Sequence, residues 1–213
     1  MIRSDLKSPV KIFGIHGKAG AGKDTAAYHL DKVFSNVRIE SFAVPLKKAA
    51  AQLFGIPITN FNSRDLKEKS HPQWNVSPRQ IAQFMGTEIV RQHFWKLLEA
   101  DSEDFWIRRM AYKLQNTDPR AGPAFHKDSV VVIPDVRFAN EFEWILENNG
   151  VILHLTRPEA DGKVGIPSHA SEADLPQHLL DQAISIQNTG TISELEQKVA
   201  KVFETYLHIA LSS

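Results

Sequence analysis

The chain has 213 residues, 42% apolar and 23% charged, which suits one globular domain, with room for a small insertion and a core that needs no cross-links. It has no cysteine, which excludes disulfides, thiolate metal sites and cysteine nucleophiles. Lys plus Arg and Asp plus Glu number 25 each, so bulk charge does not hold nucleic acid; no apolar run reaches membrane-spanning length, and the start lacks the apolar centre of a signal peptide, so a cytoplasmic chain is expected.

Residues 10–15 read as a short buried strand, followed by a glycine-rich turn from His16 to Gly22. A helix follows, with Ala26, Ala27, Leu30, Val33 and Phe34 at helical spacing. A second strand is expected at 37–40, and a helix at 46–54 with Pro45 in its first turn. Residues 55–75 read as polar and irregular. Ser77, Pro78 and Gln80 make a strong helix start, a capping box with proline in the first turn, and that helix is expected to reach about residue 98. Another is expected over 104–116, then a surface loop at 118–127. The apolar run 130–133 has strand length and is expected to stop at Pro134. A helix at 141–149 ends before Gly150, and a strand follows at 151–155. Residues 160–176 are rich in Gly, Pro, Ser and acids. A last strand at 183–186 precedes a helix capped by Thr191 and Glu194. Short apolar strands alternating with helices predict a parallel sheet covered on both faces, with ligands at the carboxyl ends of the strands.

The motifs fall in those loops. Gly17-x-x-x-x-Gly22-Lys23 follows a strand and opens a helix. Glycines there let backbone N–H groups turn around a phosphate, the helix N-terminus adds a favourable dipole, and Lys23 supplies a mobile charge. The pattern predicts a nucleoside triphosphate site. Asp24 stands where a Ser or Thr is usual, with Thr25 next, so the hydroxyl for magnesium is displaced by one residue. Asp24 has two readings of equal weight: it orders a water on the cation, or it is a favourable charge in the first helical turn.

Asp135 and Arg137 follow the central strand, where an acid can hold magnesium through water or accept from a sugar hydroxyl, and an arginine can fork onto phosphate oxygens. Their plainer reading is a helix cap and a surface arginine. At about 100° per residue, Arg79, Gln83, Gly86 and Thr87 share one helix face. Gly86 taken alone is best explained by close helix packing. The four tryptophans read mostly as core, with Phe42 and Trp106 the candidates for base stacking. The nine histidines show no metal spacing. His169 reads as a hydrogen-bonding or solvent residue. Neither a Ser-His-Asp set nor a paired-carboxylate site is supported, and the Asn-Lys-x-Asp signature of G proteins is absent.

Taken together, Gly22-Lys23-Asp24-Thr25, Phe42-Ala43-Val44-Pro45-Leu46-Lys47, Arg79-x-x-x-Gln83-x-x-Gly86-Thr87-Glu88, Asp104-Phe105-Trp106, Pro134-Asp135-Val136-Arg137 with Asn140-Glu141, Thr156-Arg157-Pro158, His169-x-x-Glu172 and Asn188-Thr189-Gly190 resemble the phage-type deoxynucleoside monophosphate kinases. The ordered set is far more specific than any one member. The resemblance implies a three-layer α/β/α P-loop kinase: one domain over 1–213, a five-stranded parallel sheet, a helical acceptor-binding region at about 42–117 and a short lid at about 157–176. It implies ATP as donor, held by Gly17, Ala19, Gly20, Ala21, Gly22, Lys23, Asp24 and Thr25, with Asn188 and Gly190 near the donor base. It implies a deoxynucleotide acceptor at Phe42, Lys47, Arg79, Gln83, Gly86, Thr87, Trp106, Asp135, Arg137 and Glu141. Lys23, Arg137 and Arg157 are the expected catalytic cations, and Thr25 and Asp135 the expected contacts to Mg2+, directly or through water. Arg157 starts the lid, whose residues 159–168 carry only Lys163 as a positive charge. The setting is the cytoplasm, the host's for a phage-encoded chain; base preference and oligomeric state, a homodimer included, stay open. Dephospho-coenzyme A kinase and phosphomevalonate kinase activities are rival readings, and a non-catalytic ATP-binding module is the alternative outside catalysis.

Overall fold

The computed structural model describes residues 10–98, 103–115, 129–158 and 175–211. Its five strands are β1 (Lys11–His16), β2 (Val37–Ile39), β3 (Val130–Val136), β4 (Val151–Thr156) and β5 (Ile184–Gln187). All pairings are parallel, in the order β2-β3-β1-β4-β5. This is the five-stranded parallel sheet expected from the sequence. The helices are α1 (Lys23–Val33), α2 (Ala43–Phe54), α3 (Ile58–Asn62), α4 (Pro78–Gln83), α5 (Trp95–Leu98), α6 (Phe105–Gln115), α7 (Ala139–Glu147), α8 (Gln177–Leu180) and α9 (Ile192–Leu211). Most of the lid expected at 157–176 lies outside the described residues, together with Lys163, His169, Glu172 and the loop expected at 118–127.

The chain forms two compact units, Phe42–Trp106 and the flanking segments that carry the sheet. In the sheet unit, Phe13 and Ile15 of β1 pack with Val130, Val132, Leu153 and Leu155 against Ala26, Ala27 and Leu30 of α1 and Leu195, Val199 and Phe203 of α9. The alternate positions face α7: a side chain on Gly14 would meet Ile145 and Ile152 within 2.9 Å. Period-2 alternation therefore finds apolar cover on both faces, which is why the central strands read as unbroken apolar runs. Fully burying a side chain such as Phe13 or Leu153 contributes about 1.5–3 kcal/mol. Tyr206 of α9 reaches β1, where its hydroxyl donates to the Ile12 carbonyl at 3.2 Å. Burial pushes that phenol up to about 12.

The Phe42–Trp106 unit has its own core of Ala50, Ala51, Ile56, Phe61 and Ile81. Three expectations change here. Residues 55–75 are not wholly irregular: α3 forms around the buried Phe61, and a single 3₁₀ turn spans Leu66–Glu68. Both are too short and too polar to show a helical period. The helix from Ser77 has the expected capping box, with Gln80 N–H donating to Ser77 Oγ and Gln80 Oε1 accepting from Ser77 N–H. It does not continue as α-helix to 98, however, because Phe84–Arg91 is a wider π-helical stretch. Two features of Gly86 favour that irregularity. It has no side chain where Leu46 Cδ2 lies, 2.6 Å from an added Cβ, and its carbonyl accepts from Trp106 Nε1 at 3.1 Å. Trp74 and Trp95 are 42% and 54% exposed and do not belong to a core, unlike Trp106 and Trp144.

Candidate functional site

Within the sheet unit, the segment after β1 forms the expected cradle. Gly17, Gly20 and Gly22 all have positive φ, at 151°, 85° and 104°. At Gly17 an added Cβ would strike the Leu155 carbonyl oxygen of β4, so both backbone angle and space demand glycine. Gly22 is the N-cap of α1 and supplies no side-chain cap to the first N–H groups of the helix. Such groups suit an anion. Lys23 is buried, and its ammonium folds back onto the loop, donating to the Gly17 carbonyl and, at 2.8 Å, to the Lys18 carbonyl. The cation is thus held over the loop by neutral acceptors that an anionic oxygen outcompetes. Asp24 is exposed in the first turn of α1, Thr25 half-buried beside it, and Ala19 and Ala21 lie in the loop itself.

The carboxyl ends of the other strands bring further residues to the same edge of the sheet. Asp135 and Arg137 end β3, Arg157 follows β4 and is exposed, and Asn188 and Gly190 follow β5. Asp135 Oδ2 accepts from the Ser41 hydroxyl at 2.7 Å. Glu141, expected to touch the acceptor, is 2% exposed, and its Oε2 accepts from the backbone N–H groups of Arg137 at 2.8 Å and Phe138 at 3.2 Å. It braces the turn that carries Arg137. Asn188 is also buried, with its Nδ2 donating to the Ala21 carbonyl at 3.0 Å and its backbone N–H to Thr156 at 2.7 Å. Its amide holds the cradle from below.

In the Phe42–Trp106 unit, Arg79 Nε donates to Glu68 Oε1 at 2.7 Å and Lys47 Nζ to Asn62 Oδ1 at 3.3 Å. The Gln83 Oε1 is buried and meets no hydrogen-bond donor among the described residues. Phe84–Arg91 is π-helical, so the 100° step used to group Gly86 and Thr87 with Arg79 and Gln83 does not hold through that stretch. Phe42 and Trp106 are 5% and 8% exposed, and the Trp106 indole N–H is engaged by Gly86. Both side chains pack inside the fold.

Sequence reasoning passed over His16. It ends β1, its Nδ1 lies 2.9 Å from the Val136 carbonyl, and its ring sits 5.2 Å from that of His154. Burial lowers its pKa to about 4; the Val136 hydrogen bond opposes this, while His154, Lys23 and Arg137 add to it. The signal was available: a polar residue closing a buried strand just before a glycine loop. His16 is therefore neutral in the fold at pH 7, with Nδ1 donating. The unfolded chain takes up this proton near pH 6.5, so stability is lost as pH falls from there towards 4. The wild-type protein is expected to lose about 3 kcal/mol more than His16→Gln between pH 7 and pH 4, as read by denaturant titration.

Among the described residues, no group of three or more His, Cys, Asp or Glu could hold a metal ion by itself, and no helix is long and apolar enough to cross a membrane. Two solved structures are similar to nearly the whole chain: a dephospho-CoA kinase from Campylobacter jejuni, at 16% identity over 91% of this chain and 95% of that one with a TM-score of 0.47, and TT1252 from Thermus thermophilus, at 18% identity over 93% and 98% with a TM-score of 0.48. A protein of Acanthamoeba polyphaga mimivirus named "Putative deoxynucleotide monophosphate kinase" is 30% identical over 193 residues, 88% of this chain and 93% of its own. The family model for deoxynucleotide monophosphate kinase matches residues 58–199, from the start of α3 into the first half of α9. The family model and the mimivirus relative make the chain a member of the deoxynucleotide monophosphate kinase family, a group of phosphotransferases.

Proposed function

We propose that the protein transfers the γ-phosphoryl group of ATP to a deoxynucleoside monophosphate, giving ADP and a deoxynucleoside diphosphate. The observation that carries this reading is the cradle: three glycines at positive φ around a buried lysine whose ammonium donates to the Gly17 and Lys18 carbonyls of the loop. The acceptor oxygen of a phosphate monoester is largely ionised near neutral pH, since its second pKa is about 6. No strong general base is then needed, and the work is to align two anions, offset their charge and keep water out. Lys23 takes the donor's terminal phosphates, and Arg137 and Arg157 offset charge on the transferring group. Arg79, Lys47, Gly86 and Thr87 are assigned to the acceptor from their matching motif positions, with Arg79 exchanging Glu68 for the acceptor phosphate.

The Thr25 hydroxyl and the Asp135 carboxylate are hard oxygen donors of the kind that suit magnesium arriving on ATP, where most of its ligands are phosphate oxygens and water. Held by Thr25 and Asp135, directly or through water, magnesium would supply positive charge to offset the charge that develops on the phosphates. Asn188 acts on the donor indirectly. Asn188→Ala removes its hydrogen bond to Ala21 and is expected to weaken ATP and GTP by the same factor, about tenfold. Fluorescence titration with both nucleotides checks this; a loss for ATP alone assigns Asn188 to the base.

The reading is tested by coupled ADP release with ATP and, in turn, each deoxynucleoside monophosphate, dephospho-coenzyme A and phosphomevalonate. Turnover that is fastest with a deoxynucleotide is expected. Faster turnover with either other acceptor replaces the reading, and ADP release with none of them supports a binding module.

A further inference from the structure

Pairing between β1 and β3 runs evenly from Lys11↔Val130 to Gly14↔Ile133 and resumes at His16↔Val136. Two steps along β1 therefore face three along β3, and the extra residue lies at Pro134–Asp135. Pro134 has no N–H to continue the ladder, so this is where the strand absorbs the insertion without losing a donor. Bulges of this kind re-aim a side chain and sharpen the local twist. It also explains why β3 does not stop at Pro134, as the sequence suggested, but runs on to Val136.

The displaced residue is caught from the other side. The ladder between β2 and β3 extends to Glu40, whose N–H donates to the Val132 carbonyl at 2.9 Å. The next residue is Ser41, and its hydroxyl donates to Asp135 Oδ2 at 2.7 Å. Glu40 is itself held by Lys113 of α6 at 2.5 Å, which steadies the backbone that delivers Ser41. On the far side of the bulge, His16 engages the Val136 carbonyl, and Glu141 takes the N–H groups of Arg137 and Phe138. Residues 135–138 are thus held by three side chains, with Glu141 serving both Arg137 and Phe138, and Ser41 acts on the Asp135 carboxylate itself.

We propose that Ser41 is a positioning residue: its hydroxyl fixes the direction of the Asp135 carboxylate, so that the carboxylate meets the cation carried by the donor nucleotide. This rests on the reading of the site as an ATP site. A charge-assisted hydrogen bond both selects one rotamer and favours the ionised carboxylate. Loss of the hydroxyl leaves the acid in place but removes this constraint on its direction.

Calorimetric titration of Ser41→Ala, Ser41→Thr and Asp135→Asn with ATP, with and without magnesium, gives a readout independent of turnover. In Ser41→Ala, affinity for ATP with magnesium and kcat are each expected to fall about tenfold, the cost of a hydrogen bond to a charged group. Affinity for metal-free ATP, the KM for the deoxynucleotide and the melting temperature are expected to stay near wild type. Ser41→Thr, which keeps the hydroxyl, is expected to restore both losses. In the double variant Ser41→Ala/Asp135→Asn, the two effects on magnesium-dependent ATP affinity are expected not to add, because one acts through the other. The proposal is overturned if magnesium improves ATP binding as much in Ser41→Ala as in wild type, if Ser41→Thr is as impaired as Ser41→Ala, if the two effects add, or if only the KM for the deoxynucleotide rises. If the wild-type protein turns over no deoxynucleotide, it is the activity reading that fails, and the binding titrations still decide the role of Ser41.

Discussion

Lys23→Ala is expected to lower kcat by roughly 10³-fold while leaving the fold intact. The ammonium is buried at the mouth of α1 and held by the Gly17 and Lys18 carbonyls, so it is already oriented before a nucleotide arrives. Orientation in advance is what makes a charge effective in a transition state, because nothing has to reorganise as charge moves onto the bridging oxygen. Truncation removes that charge together with its desolvation cost, so the stability change is small compared with the loss of rate. Lys23→Arg is expected to rescue poorly, since a planar guanidinium does not fit a site built around a point charge. Steady-state kinetics with a melting curve on each variant checks both halves. Full activity in Lys23→Ala contradicts the role given to the cradle, and a collapse of the melting curve assigns the lysine to the fold instead.

Gly17→Ala is expected to act in the opposite way, destabilising the sheet unit by more than about 3 kcal/mol. At φ 151° an L-residue is strained, and its Cβ would meet the Leu155 carbonyl oxygen rather than a side chain that can move aside. That oxygen belongs to β4, which is paired on one side to β1 and on the other to β5, so backbone shift is resisted from both edges. A loss of this size is a large share of the roughly 5–15 kcal/mol that holds an ordinary domain together. Denaturant unfolding of Gly17→Ala beside wild type reads it directly; an unchanged midpoint means that the close approach of the loop to β4 is not required.

Where the sequence was legible, the reasons are local. Except for the carboxyl end of β3, the strands stand within about a residue of their expected limits, because apolar runs bounded by turn residues have few other uses in a chain of this composition. The capping boxes at Ser77 and Thr191 formed as read, since a hydroxyl and an acid or amide three residues apart satisfy each other's backbone partners without outside help. The cradle was legible for the same reason: strand, glycine spacing and helix lie within one short stretch. What escaped depends on contacts between distant segments. The wide turns at Phe84–Arg91 follow from Leu46 and Trp106 meeting Gly86, and no period within residues 77–98 encodes that meeting. The bracing roles of Glu141 and Asn188 need the folded backbone to show which N–H or carbonyl each one reaches. Ser41 lies one residue before a recognised motif and acquires a partner 94 positions away. The resemblance named residues by motif, while the fold shows which backbone groups Glu141 and Asn188 hold.

The most direct test of the central claim follows the phosphorus. ATP labelled with 32P at the γ position, incubated with the protein, magnesium and an unlabelled deoxynucleoside monophosphate, is expected to pass its label to the β-phosphate of the deoxynucleoside diphosphate, in step with ADP. Label found only in inorganic phosphate, or on a sugar hydroxyl as a bisphosphate, contradicts transfer between two phosphates.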